Sequence, residues 1–353
     1  MDQIKKFYKG KKVLVTGATG FKGSWLCSWL IELGAKVVGT GFNPNNNDNL
    51  FTRLNLKKKI KYKTLDVRNF KGLKKLINSF KPQLIFHLAA QPLVYESYLK
   101  PLETFNINFN GTLNILEIAK NCKSTRSIII VTSDKCYDNI GKKRGYSEND
   151  KLGGVDPYSA SKATAEIVTN SYYNSFFSKK NKCGISTVRA GNVIGGGDWS
   201  KNRLVPDCIK SLLKKQEIKL RNPNFTRPWQ HVLEPLKGYL ILARHQYFNP
   251  EKYSSAWNFG SNDSSIVPVK KIAKLIVKHW GTGKVGFKKN NFYEQKILQI
   301  KSTKAKKNLK WKQTYSINQS VKVTTEWYYK TNFQNVDAAS VTKDQIIKYM
   351  MKN

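Results

Sequence analysis

The sequence has little that could form a membrane span, a disulfide framework or a metal site. No stretch reaches the roughly 18 consecutive apolar residues of a transmembrane helix. The basic start at 1–12 is followed by VLVTGATGF, which is too short and too rich in glycine for a signal-peptide core. The five cysteines are scattered and form no CxxC pair, which argues against a zinc site and favours reduced thiols. We therefore expect a cytosolic protein without a structural metal.

Acidic residues are also few, and the chain is strongly basic. It has 23 acidic and 62 basic residues, for a formal net charge of +39, and nine of the basic residues are arginine. Lysines occur in almost every segment, whereas a nucleic-acid-binding face clusters basic residues with aromatic ones. This diffuse charge does not favour specific nucleic-acid binding, although it would attract an anionic substrate.

The apolar pattern predicts an α/β protein with a Rossmann-type doubly wound parallel sheet. Short, fully apolar segments predict buried parallel strands at 12–16, 35–39, 83–89, 127–132 and 184–189. Apolar residues at helical spacing predict helices at 24–33, 70–80 and 104–122. A length of 353 residues suits two packed domains. We expect 1–188 to form the first domain, with 229–262 rejoining it, and 189–228 and 263–353 to form a smaller, partly discontinuous second domain.

Three glycines mark the turn between the first strand and the first helix. Gly17, Gly20 and Gly23 have the spacing GxxGxxG, which lets the backbone turn tightly and approach a pyrophosphate at the helix N-terminus. Ordinary strand–helix turns can show the same triplet, but its position directly after a buried strand favours a dinucleotide cofactor. The residues expected at this cofactor are Gly17, Thr19, Gly20, Phe21, Lys22 and Gly23.

One usual feature of an NAD site is missing. The end of the second strand, 39–43, has neither the acid that commonly binds the ribose hydroxyls of NAD nor an arginine for the 2′-phosphate of NADP. Asn43 could bond a ribose hydroxyl, which favours NAD. Further along the chain, Asp66 and Val67 could receive the adenine. Alternatively, Asp66 or Asn69 caps the next helix.

A tyrosine and a lysine stand one helical turn apart in the segment PYSASK. Tyr158 and Lys162 are therefore expected on one face of a helix. A free tyrosine has a pKa of about 10, and a nearby ammonium lowers that pKa because it stabilises the phenolate. The pair is expected to act as the general base that removes a proton from a substrate hydroxyl.

These motifs together resemble the extended short-chain dehydrogenase/reductase family over nearly the whole chain. The family marks are TGATGFKG at 16–23, HLAAQ at 87–91, NFNGT at 108–112 and YSASK at 158–162. Longer strings are similar to the CDP-glucose 4,6-dehydratases of that family: VTSDKCYDN at 131–139, GYSENDKLGGVDPYSASK at 145–162, RAGNVIGGGDW at 189–199, RLVPD at 203–207 and LRNPNFTRPWQHVLEPLKGYL at 220–240. The resemblance implies an NAD-dependent enzyme, commonly a homodimer, that removes water from a nucleotide sugar.

The resemblance implies a reaction on CDP-glucose in which Tyr158 takes the C4 hydroxyl proton and NAD the hydride. Water is then eliminated across C5 and C6, and the hydride returns to C6. Ser133 would orient O4, and Asp134 would be the acid toward O6. Lys135 stands where related dTDP-glucose dehydratases carry glutamate, and it would be either the C5 base or a charge that stabilises the enolate. The structural alternative for Asp134 and Lys135 is a surface ion pair.

The resemblance also assigns binding residues. Further cofactor contacts are expected from Leu88, Ala89, Ala90, Gln91 and Asn108. Candidates for the nucleotide sugar are Ser133, Asn192, Arg203, Arg221, Arg227 and His231, with a structural role as the alternative for His231. A guanidinium suggests bidentate binding of phosphate or carboxylate, and five arginines are considered for that role: Arg189, Arg203, Arg221 and Arg227 within the similar strings, and Arg68 after Asp66 and Val67. Another nucleotide-sugar dehydratase or a 4-epimerase is the alternative activity, and Asp134 with Lys135 argues against the epimerase.

Overall fold

A computed structural model describes the chain over residues 1–42, 49–142, 144–178, 183–287 and 298–353. The strands of these ranges are β1 Lys12–Thr16, β2 Lys36–Gly41, β3 Lys61–Thr64, β4 Leu84–His87, β5 Ser127–Val131, β6 Gly184–Arg189, β7 Asn192–Ile194, β8 Ile218–Leu220, β9 Thr226–His231, β10 Ala256–Asn258, β11 Ile266–Pro268 and β12 Val285–Phe287. The helices are α1 Asp2–Tyr8, α2 Phe21–Glu32, α3 Leu50–Arg53, α4 Leu56–Lys59, α5 Phe70–Phe80, α6 Val94–Leu99, α7 Pro101–Phe105, α8 Gly111–Lys120, α9 Pro157–Tyr172, α10 Leu204–Leu213, α11 Leu233–Phe248, α12 Pro250–Tyr253, α13 Val269–Trp280, α14 Thr303–Leu309, α15 Ile317–Asn332 and α16 Ala338–Met351.

Seven strands form one sheet in the order β10-β6-β5-β4-β1-β2-β3, and every neighbouring pair is parallel. The central strands are buried on both faces, as their continuous apolar sequence predicts. The strand order reverses between β1 and β4, where the carboxyl ends of parallel strands open a crevice for ligands. The predicted Rossmann-type fold is confirmed.

Successive residues of β1 point to opposite faces of the sheet and enter different apolar clusters. Val13 and Val15 pack with α2 residues such as Trp25, whereas Leu14 packs with Leu73 and Ile115 beneath α5 and α8. Each such side chain contributes about 1.5–3 kcal/mol when it is fully buried. The two clusters therefore hold helices against both faces of the sheet, and this packing fixes the position of the carboxyl ends of its strands.

The single helix predicted at 104–122 is interrupted. α7 ends at Phe105, a π-helical segment spans Asn106–Asn110, and α8 begins at Gly111. The wider turn buries the amide of Asn108. The prediction failed here because apolar spacing does not report a local change of helical period around a polar residue.

The later part of the chain adds two small sheets, in the orders β11-β9-β7 and β12-β8. Between them the chain returns to the large sheet, where β10 pairs with β6. The proposed division into two domains stays a prediction. Among the described residues, no helix is both long and apolar enough to cross a bilayer.

Candidate active site

The predicted cofactor turn is built from backbone, at the reversal of strand order. Gly17 has a φ of +71°, and a Cβ on it would lie 2.6 Å from the backbone nitrogen of Ala89 after β4. A Cβ on Gly23 would lie 2.0 Å from the carbonyl oxygen of Gly17. Gly20 is the N-cap of α2 and has no side chain to fill the helix end. The turn is therefore a cradle that accepts an anion only while these positions stay glycine.

The end of β2 has little room for a side chain. A Cβ on Gly41 would lie 2.5 Å from the hydroxyl oxygen of Thr19, so an acid there would require Thr19 to move. The side chain of Asn49 donates to the carbonyl oxygen of Thr19 at 3.2 Å. Phe21 and Lys22, the first residues of α2, are half-buried. Asn43, the predicted ribose contact, lies outside the described residues.

Asp66 is engaged by its neighbour Arg68. Its two carboxylate oxygens accept from the backbone nitrogen of Arg68 at 2.8 Å and from the guanidinium at 2.6 and 2.8 Å. Asn69 is the residue that caps α5, through the backbone nitrogen of Gly72. Val67 is buried beneath Gly111. An adenine contact by Asp66 would therefore have to share or replace the bonds with Arg68.

The segment after β4 is held by buried polar groups. His87 lies between the hydroxyls of Thr16 at 2.7 Å and Thr112 at 3.3 Å. Burial, followed by the charge of Lys162, lowers the pKa of His87 to about 3, so the ring is neutral and structural. The segment that follows it is half-buried at Leu88, Ala89, Ala90 and Gln91.

Asn108 joins this segment to α9. Its side-chain oxygen accepts from the backbone nitrogen of Gln91 at 2.9 Å, and its amide donates to the carbonyl oxygen of Gln91 at 3.1 Å and to the hydroxyl of Ser161 at 2.9 Å. The side chain is thus occupied by the framework. Any contribution of Asn108 to cofactor binding is indirect in this arrangement.

Tyr158 and Lys162 lie on the buried face of α9. Asp156 caps this helix by accepting from the backbone nitrogen of Ser159 at 2.9 Å. The ammonium of Lys162 donates to the carbonyl oxygen of Val131 at 3.3 Å, at the end of β5. The structure therefore brings the predicted pair to the carboxyl edge of the sheet.

Burial controls the proton affinities of this pair. It raises the pKa of Tyr158 to about 12, although a hydrogen bond with Ser133 acts in the opposite direction. Burial and the charge of Lys22 lower the pKa of Lys162 to about 8. The predicted lowering of the Tyr158 pKa by Lys162 is wrong for the protein alone, because removal of water from the phenolate outweighs the nearby charges.

The segment after β5 forms a tight turn that presents an acid. The hydroxyl of Ser133 donates to Asp134 at 3.0 Å and accepts from the backbone nitrogen of Lys135 at 3.2 Å. Asp134 is 7% exposed, and burial raises its pKa against the opposing charge of Lys135. Asp134 thus retains a proton more readily than an exposed carboxyl. Its burial excludes the surface ion pair, while Lys135 is half-buried.

A second charged group lies close to this turn. Burial, and then the charge of Arg203, lower the pKa of Lys22 to about 8, whereas Asp134 and Asp198 raise it. Arg203 donates to Asp198 at 2.9 Å, and the side chains are 36% and 6% exposed, respectively. A buried acid thus orients an arginine that stays accessible to an anion. Sequence reasoning missed Asp198, although it lies within the string GGGDW.

The other substrate candidates occupy different surroundings. Asn192 is half-buried at the start of β7 and pairs with Trp229 of β9. Arg227 is half-buried on β9 and donates to the carbonyl oxygen of Thr226 at 2.9 Å. Arg221 is exposed just after β8. These positions do not by themselves assign a ligand to either arginine.

His231 does not line the site. Its ring is 0% exposed and packs edge-on against Trp25 and Tyr315. Its Nδ1 accepts from the backbone nitrogen of Leu233 at 3.4 Å, at the start of α11. Burial lowers the pKa of His231 to about 3, so the ring is neutral. The predicted contact with the nucleotide sugar is corrected to the structural alternative, because no ligand atom can reach the enclosed ring.

Arg189 binds a carboxylate, one of the two partners predicted for the arginines. Its guanidinium donates twice to Glu166, at 2.8 Å each. Sequence reasoning missed Glu166, which follows Lys162 by four residues and therefore lies on the same face of α9. An acid on the sheet-facing side of a helix was the signal that could have identified it.

Comparisons with known proteins identify the family of the chain. The sequence model of the family described as GDP-mannose 4,6-dehydratase matches residues 14–324. The CDP-glucose 4,6-dehydratase of Salmonella typhimurium is 41% identical over 352 residues, which cover 98% of each chain. Among solved structures, the UDP-glucose 4-epimerase of Thermotoga maritima, with UDP-glucose, has a TM-score of 0.79 at 20% identity, covering 91% of this chain and 99% of that one. The dTDP-glucose 4,6-dehydratase of Bacillus anthracis, in complex with NAD, has a TM-score of 0.77 at 20% identity and covers 92% and 98%. The chain belongs to the nucleotide-sugar dehydratase family that the GDP-mannose 4,6-dehydratase model describes.

Proposed function

We propose that the protein is an NAD-dependent CDP-glucose 4,6-dehydratase, which converts CDP-glucose to CDP-4-dehydro-6-deoxy-glucose and water. The observation that carries this proposal is the 41% identity to the Salmonella enzyme over nearly the full length of both chains. A buried acid, Asp134, beside Tyr158 at the carboxyl edge of the sheet supports a dehydratase over an epimerase. An epimerase needs no acid to expel the C6 hydroxyl.

The backbone cradle fits a dinucleotide. At Gly17 and Gly23 the neighbouring backbone leaves no room for a Cβ, and the N-terminus of α2, which has no side-chain cap, is suited to bind a pyrophosphate. The cradle residues 17–23 and the segment 88–91 would hold NAD. When bound, NAD supplies the hydride acceptor for C4. The chain itself must therefore bind the sugar, move protons and exclude water.

Tyr158 would remove the proton of the C4 hydroxyl. Its pKa of about 12 keeps it protonated in the protein alone, so it becomes a base only when bound ligands add positive charge or donate hydrogen bonds to its oxygen. Lys162, one turn away, would stabilise the phenolate, and its ammonium is already aimed at the end of β5 by Val131. Ser133 would orient O4 through the hydroxyl that also contacts Asp134.

Asp134 would protonate the departing C6 hydroxyl. Burial raises its pKa, which keeps the proton available for transfer. Lys135 follows it in the turn and would either take the C5 proton or stabilise the enolate charge. Both residues directly follow Ser133 in the turn after β5, so one short segment would serve both atoms of the elimination.

Basic side chains would bind the pyrophosphate of the nucleotide sugar. Arg203 is oriented by Asp198 and still accessible, and Arg227 and Asn192 lie on neighbouring strands. A guanidinium is suited to bidentate phosphate contacts. Arg221, more exposed, would face the nucleoside.

A substrate panel tests the function. The purified protein with NAD would be incubated with CDP-, dTDP-, UDP- and GDP-glucose and with GDP-mannose, and the product masses measured. We expect loss of one water from CDP-glucose, at a kcat/KM at least tenfold above the others. An unchanged mass with an inverted C4 would identify an epimerase. Preference for another nucleotide would overturn the assignment of the base.

We also propose a cytosolic homodimer that supplies deoxysugars for polysaccharide synthesis. Exposed apolar side chains lie on α6, α7 and α9, at Tyr98, Leu99, Leu102 and Ile167. Association through these helices would bury them and leave the crevice open. Light scattering should give twice the chain mass, and Leu102→Lys with Ile167→Lys should give the mass of one chain. A wild-type protein with the mass of one chain in solution would contradict the dimer.

A further inference from the structure

A buried ion pair lies directly behind the proposed catalytic groups. Glu166 is 4% exposed and Arg189 is 2% exposed. Burial alone would raise the pKa of Glu166, but the charge and hydrogen bonds of Arg189 hold that pKa below its usual value. The pair is thus charged over the whole range in which the protein would work. Such a pair is weak support for stability, since apolar residues of similar volume often serve as well.

The hydroxyl and guanidinium partners of Glu166 come from the ends of two neighbouring strands, and the thiol of Cys136 in the turn after β5 adds a weak bond at 3.9 Å. Its carboxylate accepts from the hydroxyl of Thr132, directly after β5, at 2.5 Å. It also accepts from Thr187 and, twice, from Arg189, both on β6. Four O–H and N–H donors satisfy the buried carboxylate, so α9 is fixed in register against both strands.

Arg189 extends the same network to the far side of the catalytic turn. Its Nη1 donates to the hydroxyl of Tyr137, and that hydroxyl donates to the side-chain oxygen of Asn258 on β10 at 2.9 Å. The amide of Asn258 in turn donates to the carbonyl oxygen of Tyr146 at 3.0 Å. Tyr137 is buried, and its ring also lies under the guanidinium at 4.6 Å.

Thr132 and Tyr137 flank the segment 133–136, which contains Ser133, Asp134 and Lys135. Both flanks are hydrogen-bonded to one ion pair, and one member of that pair lies on the helix that carries Tyr158 and Lys162. The separation between the acid turn and the tyrosine is therefore set by a shared anchor. Misplacement of a catalytic group by about 1 Å can cost a factor of about 100 in rate, which gives such an anchor a kinetic purpose.

We propose that Glu166 and Arg189 are positioning residues that hold the 133–136 turn at a fixed distance from Tyr158 during elimination. The proposal deepens the proposed function and rests on it for its kinetic consequences. It assigns the pair no contact with substrate or cofactor. Its effect is transmitted by Thr132 on one side of the turn and by Tyr137 on the other.

The two threonines provide a matched pair of variants. Thr132→Val and Thr187→Val each remove one hydroxyl that donates to Glu166 and keep the volume of the side chain. We expect similar decreases in melting temperature. The kcat should fall about tenfold or more in Thr132→Val and less than threefold in Thr187→Val, with the KM for the nucleotide sugar nearly unchanged in both. Tyr137→Phe should behave like Thr132→Val.

The relative rates of C4 oxidation and of water elimination distinguish a positioning role from general destabilisation. In single turnovers, Thr132→Val and Tyr137→Phe should accumulate reduced nicotinamide, because elimination slows more than oxidation at C4. Equal slowing of both steps, or equal effects of Thr132→Val and Thr187→Val, would overturn the proposal. Oxidation at C4 is measured separately, as the formation of reduced nicotinamide. Its absence in the wild-type protein would contradict the proposed function and not the positioning role.

Hydrogen exchange tests the anchor without any substrate. The backbone amides of 134–137 should exchange at least tenfold faster in Thr132→Val and Tyr137→Phe than in the wild type and Thr187→Val. Unchanged protection in the first two variants would show that the ion pair does not hold the turn. This result holds whichever nucleotide sugar the protein uses.

Discussion

The two halves of the proposed site are built in different ways. The cofactor half is a backbone cradle, in which Gly17 and Gly23 meet neighbouring backbone atoms at distances that exclude any Cβ. The substrate half is lined by long charged side chains such as Arg203 and Arg227, which are half-buried and bonded to nearby oxygens. Only glycine fits at the positions of the backbone cradle, whereas many different side chains can line the substrate half. The first half therefore fixes a cofactor class, and the second can adapt to different nucleotides.

The largest effect should come from the group that joins the two halves. Tyr158→Phe should lower kcat by a factor of about 100 to 10,000, because it removes a general base without changing the buried volume. NAD affinity, measured by calorimetry, should change less than threefold. Tyr329→Phe on α15, where the ring packs on Trp280, is the matched control and should keep wild-type turnover. More than a tenth of wild-type turnover in Tyr158→Phe would contradict its assignment.

The cradle can be broken by one methyl group. Gly17→Ala should weaken NAD binding at least tenfold, or about 1.4 kcal/mol, because its Cβ would overlap the backbone at Ala89. Gly10→Ala is the control, since Gly10 has a φ of +74° with nothing within 4 Å of an added Cβ. Both variants carry the same backbone strain. Equal losses of NAD affinity would show that strain, and not the cradle, controls binding.

A substitution of Asp134, in the turn after β5, should slow one step of the reaction more than the other. Asp134→Asn should slow elimination about tenfold or more relative to C4 oxidation, because the amide cannot transfer a proton. Rapid-mixing absorbance would record the accumulated reduced nicotinamide. Equal slowing of both steps would count against the acid role.

The same variant has a predicted dependence of stability on pH. The pKa of Asp134 is raised by folding, so its contribution to stability is complete below the unfolded value of about 4 and is lost as pH rises through the folded value. Asp134→Asn should therefore melt a few degrees above the wild type at pH 8 and close to it near pH 4. A lower melting temperature for the variant at pH 8 would show that the charged form is stabilised instead.

The substrate wall should respond least. Arg203→Gln should raise the KM for the nucleotide sugar about tenfold, which matches the loss of one charge-assisted hydrogen bond, and should change kcat less than threefold. Arg244→Gln, which removes a contact with Gln3 on α1, should leave both constants unchanged. A fall in kcat without a change in KM would place Arg203 in the chemistry of the reaction and not in binding.

The difference between backbone and side-chain features also determines how much could be predicted from the sequence. Five strands of the large sheet, their parallel arrangement and the glycine turn followed from apolar runs and from a spacing that backbone geometry explains, whereas β3, with the polar sequence KYKT, leaves no such signal. The burial of Asp134 and the enclosure of His231 could not be predicted, because each depends on side chains from distant segments, such as Trp25 and Tyr315 around His231. Spacing placed Tyr158 beside Lys162 correctly but gave the wrong direction for its pKa, since burial is a property of the fold.

The π-helical interruption between α7 and α8, at Asn106–Asn110, also could not be predicted from the sequence. A π-helical turn leaves no mark in apolar periodicity, and its purpose becomes visible only where Asn108 meets Gln91 and Ser161. The pairing of Glu166 with Arg189 was likewise missed, because one partner lies on a helix and the other ends a strand, and only the fold brings them together.

One labelled substrate tests the account most directly. CDP-glucose carrying deuterium at C4 would be converted in a single turnover, and the product examined by mass and by NMR. If one closed site oxidises C4, eliminates water and returns the hydrogen, the product should lose one water and carry the deuterium at C6. Loss of the deuterium to solvent or to a released cofactor, or its retention at C4, would contradict the account.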